Sequence, residues 1–278
     1  KDYDINIQRI YFLDEVHRSY DPKGGFLANL NLSDPNSIKI GLTGTPLISS
    51  DYYTRDLFGD YIHKYYYNAS IADGHTLRLI REEIASDYKM VLQKALEKIE
   101  VVKGHLDHKK IFAHRSFITP LLEYIVDDFS RSRLTCNDKS IGGMVICASS
   151  EQAKALHELF QLKYVGVQES NVEYAAAADK VMDYKTQFNP TSAALILHDI
   201  GTKEDRENWV ESFKSGNIDL LFVYNMLLTG FDAPRLKKLY MGRVIRQHNL
   251  LQALTRVNRR YKDFKYGYVV DFADIRSE

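Results

Sequence analysis

Two adjacent carboxylates, Asp14 and Glu15, stand where an apolar run stops. That run is Ile10, Tyr11, Phe12 and Leu13, and a short apolar stretch of this kind predicts an interior strand of a parallel sheet. Acids at the end of such a strand lie on the carboxyl edge, where open α/β sheets hold their ligands. The chemistry served by a pair so placed is Mg-nucleotide hydrolysis. One carboxylate holds the metal while its neighbour positions or polarises the attacking water. An ordinary strand end passing into an acidic helix cap would read the same way.

A second chemical set lies more than two hundred residues downstream, at Gln252, Arg256 and Arg259. Steps of four and three residues are neighbours on a helix surface, so a helix here would project the glutamine and both arginines together. Arginine suits phosphate oxygens because its donor fork is rigid and its charge is permanent. A solvated basic helix face is the alternative. Between the two ends, Leu42-Thr43-Gly44-Thr45-Pro46 follows a predicted strand at Ile38 to Ile40, and Thr229-Gly230-Phe231-Asp232 follows one at Leu220 to Val223. Each offers hydroxyls or backbone amides at a strand end, and each taken alone is an ordinary turn.

The elements that must position these residues fall into three stretches. Residues 1–68 form the tail of one α/β domain, with a helix-like run through Leu30 and a tyrosine-dense segment, Phe58 to Tyr67, expected as a strand. Residues 69–140 carry helical periodicity at Leu77, Ile80, Ile84, Tyr88 and Val91 and again at Ile118, Leu121, Leu122, Ile125 and Val126. Residues 141–278 alternate strand and helix signals, which imply a parallel sheet. Strands are expected at Met144 to Ala148, Ala193 to Leu197, Leu220 to Val223, Lys238 to Tyr240 and Tyr268 to Asp271, with a helix from Gln152 to Leu162.

Composition narrows the class. At 278 residues the chain can bury a sizeable core. Lys+Arg and Asp+Glu are equal at 37 each, so net charge says nothing of a nucleic-acid partner. The distribution is uneven. Arg235, Lys237, Lys238, Arg243, Arg246, Arg256, Arg259, Arg260, Lys262 and Lys265 crowd a window holding only Asp232 and Asp263 as acids. Part of this excess is expected to face nucleotide and part phosphate backbone, with Lys237 and Lys238 also readable as solvated surface. Cys136 and Cys147 lack metal-ligand spacing, and the nine histidines form no His-x-x-x-His cluster, so no structural metal is expected. No stretch reaches the ~20 apolar residues that span a membrane, and a reduced cytoplasmic setting fits. The chain opens without Met and meets a strand almost at once, as a piece of a longer protein would.

In this order the four segments resemble motifs II, III, V and VI of superfamily 2 helicases and translocases. Asp-Glu-Val-His-Arg-Ser from Asp14, Leu-Thr-Gly-Thr-Pro from Leu42, Leu-Leu-Thr-Gly-Phe-Asp-Ala-Pro from Leu227 and Gln-Ala-Leu-Thr-Arg-Val-Asn-Arg from Gln252 look like the motor core of the restriction (R, HsdR-type) subunit of type I restriction-modification enzymes. Val16 stands where relatives usually have Ala or Cys, and Thr255 where many have Gly; neither change removes a functional side chain. The resemblance implies an α/β fold of tandem RecA-like parallel-sheet lobes, the first incomplete here, joined by a helical connection. It implies ATP between the lobes and translocation along double-stranded DNA without strand separation, in complex with methylation and specificity subunits.

By the same resemblance Asp14 holds Mg²⁺ and Glu15 orients the hydrolytic water. His17 links the nucleotide state to Thr43 and Thr45, which relay it. Gly230 and Asp232 line the nucleotide cleft, Gln252 reads the nucleotide, and Arg256 and Arg259 bring charge to the γ-phosphate. No Gly-x-x-x-x-Gly-Lys-Ser/Thr loop occurs in the chain, nor a match to the nuclease site of R subunits. The chain by itself is therefore expected not to hydrolyse ATP. The alternatives are a non-hydrolysing helicase-like module that docks DNA or a partner, and another superfamily 2 helicase.

Overall fold

A computed structural model describes residues 7–16, 25–44, 54–103, 108–165, 187–226, 231–245 and 247–272. The chain divides into two compact units, Lys1–Tyr66 and Tyr67–Glu278.

In the first unit β1 (Ile10–Leu13) pairs in parallel with β2 (Ile38–Gly41), from Ile10 beside Ile38 to Leu13 beside Gly41. A parallel pair needs a crossover, and α1 (Gly25–Ser33) supplies it. Leu13, Val16 and Leu27 form a small core, with Tyr11, Leu30, Leu57 and Phe58 packed against it. The opposite sheet face is bare: Ile10, Phe12 and Ile38 are exposed, Phe12 by 67%. The interior strand expected here is thus covered on one face only among the described residues. After α2 (Thr54–Phe58) no strand forms. Gly59 takes a φ of +78° and residues 59–66 run irregularly, with Tyr61, Tyr65 and Tyr66 exposed. Tyrosine favours strands only where a ladder and a packing surface exist. Neither is present here, so the strand expected at Phe58 to Tyr67 is not made.

The second unit is built on six parallel strands in the order β3-β8-β7-β4-β6-β5. They are β3 (Arg78–Glu82), β4 (Gly142–Ile146), β5 (Ala193–Ile196), β6 (Leu220–Val223), β7 (Leu236–Met241) and β8 (Tyr266–Asp271). One face packs under α4 (Ser86–Lys103), α5 (His108–Phe112), α6 (Arg115–Cys136) and α7 (Ser150–Tyr164). Phe117, Leu121, Ile125 and Phe129 of α6 meet Val145, Phe222 and Tyr240 there. The other face packs under α8 (Lys203–Ser215) and α9 (Gln247–Leu254), where Phe213 and Ala253 meet Met144, Leu221 and Leu239. Thr202 and Asp205 form a reciprocal capping box at the start of α8, and Gly216 ends it at a φ of +98°.

Residues 69–140 therefore contribute helices to the second unit and, in addition, an edge strand. Ile80 belongs to β3, paired with Tyr268 of β8, rather than to the helix its spacing with Leu77 and Ile84 predicts. A half-covered edge strand has no clean period, and pairing with β8 overrides the local pattern. α3 (Tyr67–Ala72) precedes it, Tyr67 donating its hydroxyl to the Leu77 carbonyl at 2.7 Å.

Against β4, Gly142 stands opposite Leu236 but Gly143 opposite Lys238, so β7 carries one extra residue, a β-bulge at Lys237. The bulge lets Leu236, Leu239 and Met241 share the α8–α9 face. Lys237 and Lys238 are 0% and 1% exposed, which corrects the reading of either as solvated surface. β7 lies inside the sheet with helices on both sides, and each ammonium is bonded internally.

The chain leaving α9 lies directly on β8. A Cβ at Gly267 would sit 2.1 Å from the Val257 carbonyl oxygen. Gly267→Ala is expected to destabilise the chain by about 1–3 kcal/mol, seen as a lower urea midpoint with the slope of the transition unchanged.

Candidate functional site

In the first unit the parallel pairing brings two of the sequence segments side by side. The Leu42 amide donates to the Leu13 carbonyl at 2.8 Å and the Val16 amide to the Leu42 carbonyl at 3.1 Å. The turn holding Asp14 and Glu15 is thereby laced to the residue before Thr43, at the carboxyl edge of β1 and β2. Asp14 Oδ1 accepts the Glu15 amide at 2.8 Å, and Glu15 takes a left-handed φ of +52°. For a non-glycine residue that conformation costs roughly 1–3 kcal/mol and tends to cluster at functional sites. Asp14 is exposed, and Glu15 and Thr43 are half-buried. His17 and Thr45 lie outside the described residues. No group of three or more His, Cys, Asp or Glu converges as a metal site among the described residues. A hard cation here would rest on one or two carboxylates, completed by water and phosphate oxygens, as Mg²⁺ sites commonly are.

In the second unit the helical reading fails after Leu254. The Thr255 amide still reaches the Leu251 carbonyl at 2.9 Å, but Arg256 and Val257 donate three residues back, to Ala253 at 3.1 Å and Leu254 at 3.3 Å. Thr255, Val257 and Asn258 are poor helix formers, and tertiary partners capture the chain. The Leu77 amide donates to the Asn258 carbonyl at 2.6 Å, and Arg259 makes an antiparallel bridge with Thr76. Positions 252, 256 and 259 consequently do not share one helical face, which corrects that expectation.

The residues part company by burial. Gln252 and Arg256 are buried; Arg256 Nε donates to the Gln252 carbonyl at 3.2 Å and Nη1 to the Phe231 carbonyl. Arg259 is outside, its Nε 3.5 Å from Asp232 Oδ1, with the two side chains 49% and 64% exposed. Arg256 thus fixes Phe231 beside the end of α9, and Arg259 meets the next residue, Asp232. Asp232 precedes β7 and Arg259 precedes β8, so this cluster stands toward the amino-terminal ends of those strands. Gly230 lies outside the described residues.

The basic window is largely consumed inside the fold. Arg235 donates to the Ser140, Phe213 and Ile218 carbonyls at 2.6–2.7 Å. Lys238 is held by Glu82, by Asp128 at 2.9 Å and by Ser132 at 3.0 Å. Lys262 pairs with Asp138 at 2.6 Å. Lys237 donates to the Arg259 main-chain carbonyl, and burial lowers its pKa to about 8. Sequence reasoning missed this contact; the available signal was a pair of lysines inside the apolar run Leu236 to Met241. Tyr240 gives its hydroxyl to Asp128 at 2.7 Å, and burial, reinforced by that carboxylate, pushes its pKa well up. A cavity of about 280 Å³ adjoins these groups, lined by Glu82, Asp128, Arg131, Cys136 and Tyr268 along with the two lysines. None of the motif residues lines it.

Residues 3–111 match the SWI2/SNF2 ATPase family, and residues 151–274 match domain 3 of type I restriction enzyme subunit R. Over 97% of its length the chain is 28% identical to the protein named as the MjaIXP type I restriction enzyme endonuclease subunit of Methanocaldococcus jannaschii. It is 25% identical, over 97% of its length, to the HindI subunit of Haemophilus influenzae. The chain carries an HsdR-type helicase-like region. It spans 26% and 27% of the lengths of those two relatives. Among solved structures, a fragment described as an HsdR subunit from Vibrio vulnificus superposes with a TM-score of 0.56 at 18% identity, over 95% of this chain and 43% of that one. The Mycobacterium smegmatis helicase Lhr, bound to single-stranded DNA and AMP-PNP, gives 0.53 at 16% identity, over 97% of this chain and 29% of that one. The HsdR-type region thus has the α/β architecture of RecA-like helicase domains. Among its described residues no helix is long and apolar enough to cross a membrane.

The two arginines of this region are predicted to separate in unfolding experiments. Arg256→Ala leaves the buried Phe231 carbonyl unpaired and is expected to cost about 1–3 kcal/mol. Arg259→Ala removes an exposed pair and is expected to stay within about 1 kcal/mol. Urea titrations of both variants followed by circular dichroism test the contrast.

Proposed function

We propose that this HsdR-type region belongs to the ATP-driven motor of a type I restriction enzyme R subunit, moving double-stranded DNA in complex with methylation and specificity subunits in the cytoplasm. Residues 1–68 serve as the carboxyl-terminal part of the first motor lobe and residues 141–278 as the second, to which 69–140 add an edge strand and covering helices. The observation that carries the reading is the gathering of ordered motif residues within each unit. Asp14 and Glu15 stand beside the Thr43 turn, and Arg256 and Arg259 are tied to Phe231 and Asp232.

The roles follow from burial and chemistry. Asp14, exposed at the carboxyl edge, would hold Mg²⁺, which would supply positive charge to offset the charge developing on the transferred phosphoryl group. Glu15, turned by its left-handed backbone, orients the attacking water and accepts its proton. His17, Thr43 and Thr45 link that edge to nucleotide state. In the second unit Gly230 and Asp232 border the nucleotide and Gln252 helps to shape that border. Arg259 is the arginine for the transferred phosphoryl group: its pair with Asp232 is solvent-screened and exchangeable. Arg256 contributes by holding Phe231 and Asp232 in place. The phosphate-cradling loop, absent from these 278 residues, would come from elsewhere in the complete subunit.

The test is double-stranded-DNA-stimulated ATPase of the complete subunit. Glu15→Gln and Arg259→Ala are each expected to lower kcat by about 10³-fold or more, while the 278-residue chain alone turns over no ATP. Turnover surviving in both variants would replace the motor reading with that of a non-hydrolysing binding module. Stimulation by RNA in place of DNA would favour another superfamily 2 helicase.

A further inference from the structure

We propose that Lys237 is a positioning residue for Arg259, acting from the β7 bulge through the Arg259 main-chain carbonyl. The inference rests on the assignment of Arg259 to the phosphoryl group. That guanidinium sits on a non-helical turn, and its pair with Asp232 is exposed. An exposed pair holds geometry weakly, so the backbone must place the side chain.

Ties from three strands converge on that backbone. From β8, Gly267 lets the Val257 carbonyl lie where any Cβ would collide with it. Just ahead of β3, the Leu77 amide takes the Asn258 carbonyl at 2.6 Å and Thr76 bridges Arg259. From β7, Lys237 takes the Arg259 carbonyl. The last tie is the costly one. A lysine with no exposed surface gives up its hydration, and burial alone accounts for its lowered pKa. Without the bulge, strict alternation would have placed Lys237 on the same face as Leu239 and Met241, among the apolar contacts of α8 and α9. The extra residue re-aims the side chain, a use to which bulges near functional sites are put.

A double-mutant cycle on DNA-stimulated ATPase of the complete subunit tests this. Lys237→Met keeps the length of the side chain and removes the donor. It is expected to lower kcat about 10–100-fold, the scale of an ångström-sized misplacement, with KM for ATP changed less than twofold. In an Arg259→Ala background it is expected to lower kcat no further, because Lys237 acts through Arg259. Lys237→Gln, which retains a donor at slightly shorter reach, is expected to recover part of the loss, and serves for the cycle where the Met variant does not fold. Unchanged kcat in Lys237→Met, or a further loss of equal size in the Arg259→Ala background, overturns the proposal while leaving the motor reading intact. A wild-type subunit without DNA-stimulated turnover, or full activity in Arg259→Ala, overturns the reading beneath it.

Discussion

β7 is covered on both faces and yet carries two lysines, and the second unit is organised around accommodating them. A buried ammonium is tolerated only when paired and hydrogen-bonded. Lys238 meets this need by drawing Glu82 from β3 and Asp128 and Ser132 from α6 onto one nitrogen. Tyr240, two residues on, shares the same aspartate. The edge strand, the long helix and the central strand are thereby locked in register by charge as well as by packing. Such a network specifies one arrangement, since a shift of any member would strand a buried charge.

Lys237 answers the same constraint differently, with a main-chain oxygen in place of a carboxylate. Burial lowers the pKa of this amine to about 8. What the contact gains is placement: the oxygen it holds belongs to an exposed arginine that otherwise rides on a turn. Arg256 works in the opposite sense, spending its donors inside the protein so that Phe231 and Asp232 stay beside the end of α9. Of two arginines three residues apart, one is bonded inside the protein and the other pairs with Asp232 at the surface.

The two units place their motif residues by different physics. In the first, a parallel strand pair sets two turns next to one another, and the acids inherit their location from main-chain hydrogen bonds. Its other sheet face remains apolar and exposed, as for Ile10 and Phe12. In the second, side-chain anchoring and glycine-permitted contact at Gly267 hold a turn that helix propensity would not.

The local pattern was enough to locate β4, β5 and β6, because buried parallel strands are continuous apolar runs whose signal does not depend on their neighbours, and shorter apolar stretches marked β7 and β8. It also located α7, whose capping Ser149 and inward Leu156 and Leu159 are written in consecutive residues. The motif segments were legible as short strings, three of them following strand signals and the fourth running out of a helix from Gln252. The rest depended on partners far away in sequence. Ile80 scans as helical and becomes strand only because β8 is there to pair with it. Lys237 and Lys238 scan as surface, and only the order of strands in the sheet makes β7 interior. Arg256 and Arg259 share a charge and a neighbourhood in the sequence. The sequence by itself determined only that the two arginines stand three residues apart, and its helical reading set them on one face. Tertiary structure alone decided which is buried and which faces outward, because the Phe231 carbonyl, Asp232, Thr76 and Leu77 that separate them reach that turn through the folded chain.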